Sequence, residues 1–243
     1  MKLYIQKDAK IYELKGEGSE DLLQNTSTND IKNLKEGQSC KTLFLDRFGK
    51  IKSIATVQKE KEHFLLAFQK EADKAFKELL EMSIRLMQCE LEEKMGYEEA
   101  VYIDGREHTQ SIRPKKKEES ITAGEFIKWR IIYKVPEWQR ELDDTIIPLE
   151  ANLKEYIDST KGCYTGQEIV ARMLSRNAEP AKMLTRFKIR GKAKEKEEFY
   201  KKQKEAGYLT TVLKEDALGF LRREYKKEKT FSTKKGAILE IEA

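Results

Sequence analysis

The residues best suited to carry out chemistry lie in one segment, Lys161-Gly162-Cys163-Tyr164-Thr165-Gly166-Gln167-Glu168. Its two glycines predict a tight turn, because glycine accepts positive φ and lets a backbone approach a ligand closely. A helical pattern resumes after Gly166, so Cys163 is expected at or just before a helix N-terminus, two residues from Lys161. Both features favour a thiolate. Cys163 is therefore either a reactive, ligand-contacting thiol or a small buried side chain that fills the turn.

The remaining cysteines and histidines do not have the spacing of a metal site. Cys40, Cys89 and Cys163 are too far apart for a zinc or iron–sulfur ligand cluster, and an odd number is not a disulfide framework. His63 and His108 have no second ligand-type motif nearby, so each is predicted to be a plain surface or strand residue. No metal site is expected.

Composition limits the class of protein. With 39% hydrophobic residues over 243 positions, the chain is expected to fold around a real core, which excludes disorder. The net charge of +5 excludes neither a nucleic acid nor a neutral metabolite as a ligand. The apolar runs are too short for a membrane-spanning helix and the first residues do not resemble a signal peptide, so a cytoplasmic location is predicted.

Positive charge is concentrated near the C-terminus. Residues 188–235 contain 16 Lys and Arg against 8 Asp and Glu. This segment is predicted to be either the solvated surface of a small domain or a face for RNA or an acidic partner.

The elements that must position the motif follow from the apolar periodicity. Strands are predicted over 10–15, 41–46, 51–58, 63–68, 84–91, 99–103 and Phe126–Val135. Helices are predicted over 70–82 and just after 10–15, the latter with Ser19 as its N-cap. The polar connection 114–120 predicts a boundary. Short strands over 185–190, 207–213, 217–222 and 237–241 predict an antiparallel barrel.

The motif matches the K-G-C-Y-x-G-Q-E signature of the YgfZ family, folate-binding proteins linked to iron–sulfur cluster assembly or repair and to tRNA modification. Thr28-Asn29-Asp30-Ile31 resembles the family's T-N-D-V turn, Phe48-Gly49-Lys50-Ile51 its hairpin, and Ala206-Gly207-Tyr208 its barrel. The same family is related to the aminomethyltransferase (T-protein) of the glycine cleavage system.

The resemblance implies an α+β fold. It consists of a T-protein/YgfZ-like ring of α+β modules, with a ferredoxin-like middle module and a small C-terminal antiparallel β-barrel. The implied modules are a discontinuous one formed by 1–48 and 125–180, a middle one over 49–124, and the barrel over 181–243.

The resemblance also implies the site. Lys161 and Cys163 would line a central cavity and carry the chemistry. Tetrahydrofolate or a folate derivative would be the cofactor, held by a set drawn from several segments: Asn29, Trp129, Glu150, Tyr164, Gly166, Gln167 and Glu168. The implied partners are iron–sulfur client or assembly proteins, with a weak tRNA contact through 188–235 and no membrane.

Two positions depart from the related patterns. The T-protein's aspartate near the folate amine corresponds to Lys52-Ser53-Ile54-Ala55, which holds no carboxylate, so proton transfer lacks an agent. Ile132 stands where the glutamate that pairs with the pterin is expected, a loss of roughly 1–3 kcal/mol in binding if nothing replaces it. An accessory protein is therefore favoured, and a tetrahydrofolate-dependent aminomethyl or one-carbon transferase is the alternative.

Overall fold

The computed structural model describes residues 1–69, 71–176 and 178–242. Lys70, the first residue of the helix predicted over 70–82, lies outside the described residues, as do Asn177 and Ala243 within the predicted modules.

The first part of the chain forms strands and helices in the order β1 (Lys2–Gln6), β2 (Lys10–Lys15), α1 (Ser19–Thr26), β3 (Ser39–Leu45), β4 (Ile51–Lys59), β5 (Phe64–Phe68), α2 (Ala72–Leu86), β6 (Glu90–Glu93), β7 (Tyr97–Asp104), β8 (Glu107–Pro114) and α3 (Ala123–Tyr133). The second part contains short 3-10 turns at Pro148–Ala151, Lys154–Tyr156 and Arg223–Tyr225, together with α4 (Gln167–Ser175), β9 (Lys182–Arg190), β10 (Glu198–Lys201), β11 (Lys204–Leu213), β12 (Asp216–Arg222), β13 (Thr230–Thr233) and β14 (Ile238–Ile241).

These strands form two open sheets and a barrel, all antiparallel. One sheet has the order β3-β4-β5-β2-β6 and the other β1-β7-β8. The last six strands close into a barrel in the order β10-β11-β12-β9-β14-β13. The predicted α+β class with a C-terminal antiparallel barrel is confirmed.

The main core lies between the five-stranded sheet and α2. All of β5 is buried, as expected for a central strand with an uninterrupted apolar run. Phe76 of α2 packs its ring 4.8 Å from those of Phe44 and Phe68. The prediction of a strand over 84–91 is wrong. Residues 84–86 form the last turn of α2, and the strand that follows, β6, begins only at Glu90.

The segment 126–135 was predicted as a strand, and this prediction is wrong: it is mostly helix α3. Thr122 and Glu125 form a capping box at its start, and Lys134 ends it with a φ of 56°. Its apolar residues are not confined to one face and Arg130 interrupts them, so periodicity could not separate helix from strand. Phe126 and Trp129 cover the three-stranded sheet by packing on Val101 and Ile103.

Helix α1 also begins differently from the prediction. Ser19 is its first helical residue, and the N-cap is Gly18, with no side-chain capping bond. A Cβ on Gly18 would lie 2.3 Å from the carbonyl oxygen of Met87, so only glycine fits at this close approach of two segments.

A buried ion pair connects α3 to the barrel. The guanidinium of Arg130, 2% exposed, donates to Val135 O at 3.1 Å and to the carboxylates of Glu137 and Glu141. The Thr211 hydroxyl on β11 donates to the other oxygen of Glu141 at 2.5 Å. The pair therefore fixes the barrel against the end of α3.

The division into modules stays a prediction. The boundary at 48/49 falls in the turn of the β3–β4 hairpin, so strands on both sides of it share one sheet. Among the described residues, no helix has the length and apolar character needed to span a membrane.

Candidate functional site

The motif turn packs against the turn that joins β3 to β4. Gly166 has a φ of +80°, and a Cβ there would lie 2.4 Å from Asp46 O. Gly49, with a φ of +75°, would place a Cβ 3.0 Å from that of Ile169. The two glycines let the two turns approach each other closely. Gly166 is therefore needed for the packing of the motif turn against the β3–β4 turn. Gly162 has open space around it and no positive φ, so the tight turn does not depend on it.

Gln167 and Glu168 make local contacts. The side-chain carbonyl of Gln167 accepts a hydrogen bond from Tyr164 N at 3.2 Å and closes the turn. Glu168 is exposed and pairs with Arg172 one helical turn later. Tyr164 is half-buried, and burial raises its pKa to about 12.

Lys161 is the most highly coordinated residue of the motif. Its ammonium donates to three carbonyl oxygens, those of Gln24 and Ser27 at 2.6 Å and that of Asn29 at 2.9 Å. Burial lowers its pKa to about 8, against the opposing effect of Asp30 and Asp158. At neutral pH the side chain is an ammonium whose three N–H groups all donate hydrogen bonds. Lys161 therefore links the motif to the end of α1 and the loop after it.

Cys163 is exposed, so the expectation of a small buried side chain filling the turn is wrong. The thiol is open to a partner or an oxidant at the surface. Cys40, by contrast, is largely covered on β3, and burial raises its pKa to about 12, against the effect of nearby Lys161. Cys163 therefore has the access that a reacting thiol needs, and Cys40 does not.

The Thr28-Asn29-Asp30 turn links the Lys161 region to β3. Thr28 donates to Tyr156 O at 2.6 Å, and its amide bonds to Leu43 O at 3.0 Å. The Asn29 side-chain amide donates to Lys41 O at 3.0 Å. These bonds fix the position of the loop, and Asn29 lies at the edge of a cleft.

This cleft has a volume of about 610 Å³ and lies between β3, β8 and the Lys154–Tyr156 turn. Its lining is polar and carries both signs of charge: it includes Lys41 and Arg106, the acidic Glu107 and Glu155, and the hydrogen-bonding side chains of Asn29, His108, Gln110 and Tyr156. His108 Nε2 lies 3.4 Å from the Tyr156 hydroxyl. Burial, assisted by the positive charge of Lys41, lowers the pKa of His108, so its imidazole is neutral at pH 7.

A second, much smaller pocket of about 20 Å³ continues the cleft inward. It shares Lys41, His108, Gln110 and Tyr156 with the cleft and adds Gln69 and Trp129. Trp129 donates from Nε1 to Gly105 O at 2.8 Å, stacks on Phe126, and meets His108 edge-on at a centroid distance of 5.0 Å. Trp129 thus lies at the inner end of the cleft, on a helix and not beside the strand predicted for it.

Glu150 lies elsewhere. It is 7% exposed and lines a different pocket of about 460 Å³, with Lys182, Tyr208, Phe220 and Arg222 on the barrel side. Burial raises the pKa of its carboxyl. Its carboxylate also accepts from Ile147 N at 3.3 Å and caps the Pro148–Ala151 turn. The structure therefore does not bring Glu150 together with Asn29 and Trp129.

The structure describes both positions that depart from the related patterns. The Ser53 hydroxyl donates to Ala72 O at 2.7 Å, so it is used inside the core, and Ile54 belongs to that core. Ile132 is half-buried on α3.

Several residues of the cleft escaped the sequence analysis, among them Lys41, Gln69, His108 and Gln110. Gln69 carried a usable signal in the sequence, because it is a polar residue that directly follows the apolar run of β5. His108 does lie on a strand, as predicted, but it faces the cleft. The sequence around Lys41 and Gln110 contains no pattern that indicates a place in a binding site.

Comparisons bear on the fold. No family model matches the chain, and no curated protein matches it. The structure is similar to that of the glycine cleavage system aminomethyltransferase T from Bartonella henselae, with a TM-score of 0.81. The match covers 99% of this chain and 84% of that chain at 13% sequence identity. The chain therefore has the fold of that aminomethyltransferase.

Proposed function

We propose that this chain is a YgfZ-like folate-binding accessory protein that supports iron–sulfur cluster assembly or repair, and thereby tRNA modification. One observation carries the proposal. Lys161 of the motif bonds to Asn29 O, so the turn that presents the exposed Cys163 also builds the edge of the cleft. The resemblance of the fold to an aminomethyltransferase supports a folate-type ligand.

The lining of the cleft fits such a ligand. His108 and Tyr156 line the cleft and can contact a flat heterocycle, and Trp129, stacked on Phe126, closes its inner end. Arg106 offers positive charge to the glutamate carboxylates of a folate, whereas the ammonium of Lys41 lies 3.7 Å from Glu99 and the cleft also holds the acidic Glu107 and Glu155. A bound folate would supply a one-carbon carrier, and these residues would bind and orient it.

The alternative is a tetrahydrofolate-dependent aminomethyl or one-carbon transferase, which the fold of the aminomethyltransferase favours. A transferase needs a group that moves a proton at the folate amine. Ser53 is committed to Ala72 O and Ile54 is apolar, so the corresponding strand offers none. We expect tetrahydrofolate to bind without methylene or aminomethyl transfer, and turnover in a transfer assay would reverse this ranking.

The thiol is tested by complementation of a strain that lacks its own YgfZ-type protein. Cys163→Ala should abolish rescue while the thermal melting curve stays unchanged, because the side chain is exposed. Thr165→Ala is the matched control, since it alters another exposed side chain of the same turn. Full rescue by Cys163→Ala would remove the thiol from the proposal.

A weak tRNA contact through 188–235 remains part of the proposal. Several basic side chains there are already in surface ion pairs, for example Lys188 with Asp216 and Arg222 with Glu205. The Arg222–Glu205 pair is exposed, and such pairs are weak and can be exchanged for phosphate, whereas Asp216 is buried and holds Lys188 more firmly. Filter binding of tRNA at two salt concentrations tests this contact, because phosphate binding falls steeply as salt rises.

A further inference from the structure

Phe48 differs from the other phenylalanines in its exposure. Nine of the ten are buried, whereas Phe48, at the tip of the turn that joins β3 to β4, is 59% exposed. The guanidinium of Arg47 lies over its ring, 4.7 Å from the centroid, and among residues 1–69, 71–176 and 178–242 it forms no ion pair. Single exposed apolar side chains are common, so the surroundings of this ring decide what it can do.

The turn that presents Phe48 is held by several hydrogen bonds. The carboxylate of Asp46 accepts from Phe48 N at 2.9 Å and from Lys50 N at 3.0 Å, and Gly49 N donates to Asp46 O at 3.0 Å. The motif turn packs against it through Gly166. A side chain that is already positioned loses little conformational entropy on binding, so Phe48 is suited to anchor an interface.

The surface beside this turn carries positive charge. Helix α4 begins next to it, because a Cβ on Gly49 would lie 3.0 Å from that of Ile169. Arg172 and Arg176 follow Ile169 by three and seven residues, which places them on the same side of the helix. Arg172 is paired with Glu168, but Arg176 is exposed and has no ion pair in the part of the chain that the structure describes. The charge therefore favours a partner with an acidic surface.

Cys163 lies within reach of a partner bound at this turn. It precedes Gly166 by three residues, and a Cβ on Gly166 would lie 3.3 Å from Gly49 Cα. The Cα atoms of Cys163 and Phe48 are therefore at most about 20 Å apart. An interface of standard size buries about 800 Å² per partner, which corresponds to a patch about 30 Å across. One partner can therefore cover Phe48 and reach the thiol.

We infer that the tip of the β3–β4 turn docks a partner protein that has an apolar pocket for Phe48 and carboxylates at its rim for Arg47 and Arg176. A protein is favoured over RNA because single-stranded nucleic acid stacks successive bases on several aromatic side chains, and within the described residues Phe48 is the one exposed ring among Phe, Tyr and Trp. The inference rests on the proposed function, since the partner is the iron–sulfur client or assembly protein.

Complementation of the strain that lacks its own YgfZ-type protein tests this docking surface. Phe48→Ser and Arg47→Glu should each lower the plating efficiency at least tenfold, and Phe48→Leu, which keeps an apolar side chain, should lose less. The melting curve and the rate at which Cys163 reacts with 5,5′-dithiobis(2-nitrobenzoate) should not change, which separates lost docking from a lost thiol. Met95→Ser is the control, because it alters another exposed apolar side chain after β6, at the opposite edge of the sheet from β3.

Benzoylphenylalanine in place of Phe48 gives a direct readout in the rescued strain. Irradiation should link the chain to a protein in an adduct that survives ribonuclease and is lost when Arg47→Glu is added. An adduct that ribonuclease removes, or no adduct at all, would overturn the inference. Full rescue by Phe48→Ser would overturn it as well, while the proposed function would stand. If wild type itself gives no rescue, the proposed function fails together with the inference.

Discussion

Replacing Lys161 by methionine separates a bridging role of this lysine from a chemical one. Methionine keeps much of the side-chain volume but has no donor. In the protein, the ammonium satisfies the carbonyl oxygens of Gln24, Ser27 and Asn29 at 2.6–2.9 Å. The substitution therefore removes the link between the motif and the end of α1.

The magnitude follows from the three bonds and from the burial of the group. Hydrogen bonds to a charged group contribute about 1.5–3 kcal/mol each. Water can reach part of this half-buried site, and removing the ammonium also relieves the desolvation that lowers its pKa. We therefore expect the free energy of unfolding of Lys161→Met to fall by about 2–4 kcal/mol, well below the sum of three full bonds.

The pH dependence gives a second readout. The pKa of Lys161 is about 8 in the folded protein against an ordinary value of 10.5. Between these pH values the unfolded chain holds a proton that the folded chain has released, so the stability that this group contributes rises with pH. Below pH 8 both states are protonated and the contribution is constant. The difference in stability between wild type and Lys161→Met should therefore widen from pH 8 to 10.5.

Urea denaturation followed by tryptophan fluorescence measures both effects, and Lys128→Met, an exposed lysine on α3, is the control, expected within about 0.5 kcal/mol of wild type. Wild-type stability of Lys161→Met would refute the bridging role. If complementation were also lost in a variant of unchanged stability, Lys161 would have a chemical role.

Three further substitutions test the packing around the site. Gly166→Ala should lower the free energy of unfolding by about 2–4 kcal/mol because a positive φ and a backbone clash combine, whereas Gly162→Ala should stay within about 0.5 kcal/mol; thermal denaturation of the pair decides. Thr122→Ala removes the capping box of α3 and should cost about 1 kcal/mol in a urea titration, and no change would mean that the cap is dispensable. Glu141→Gln leaves the buried guanidinium of Arg130 with one carboxylate fewer and should cost about 2–4 kcal/mol by the same assay.

The sequence predicted best the elements whose apolar pattern has one clear period. β2 matches the predicted 10–15, and α4 follows Gly166 as expected. Four of the six barrel strands were predicted because short apolar runs alternate with charged turns, whereas the four-residue strands β10 and β13 were missed. Helix α3 was missed because its apolar residues do not keep to one face and the charged Arg130 is buried among them, although Thr122 and Glu125 have the spacing of a capping box.

The candidate site was predicted only in part. The motif identified the turn that carries Cys163 and Lys161, but no local pattern could reveal that Lys161 Nζ reaches three carbonyls near α1. The cleft residues come from β3, β8 and the Lys154–Tyr156 turn, which are distant in sequence. Their convergence is a property of the tertiary fold, and Glu150 shows the converse, because a residue close to the motif in sequence faces another pocket.

The strand pairs that close the barrel differ in length, and the line along which two neighbouring strands pair is called a seam below. β9 and β12 are paired from Lys182–Arg222 to Lys188–Asp216, whereas β10 and β13 meet only at Phe199–Thr233 and Tyr200–Ser232. Local opening begins where the fewest bonds must break, so the β10–β13 seam is where amide hydrogens should exchange first. An opened seam would expose two unpaired strand edges, and a strand from another chain could pair there. The rings of Phe199 and Phe231, 5.3 Å apart beneath the seam, are one contact that opposes this opening, and the bond from the Lys201 ammonium to Thr230 O is another.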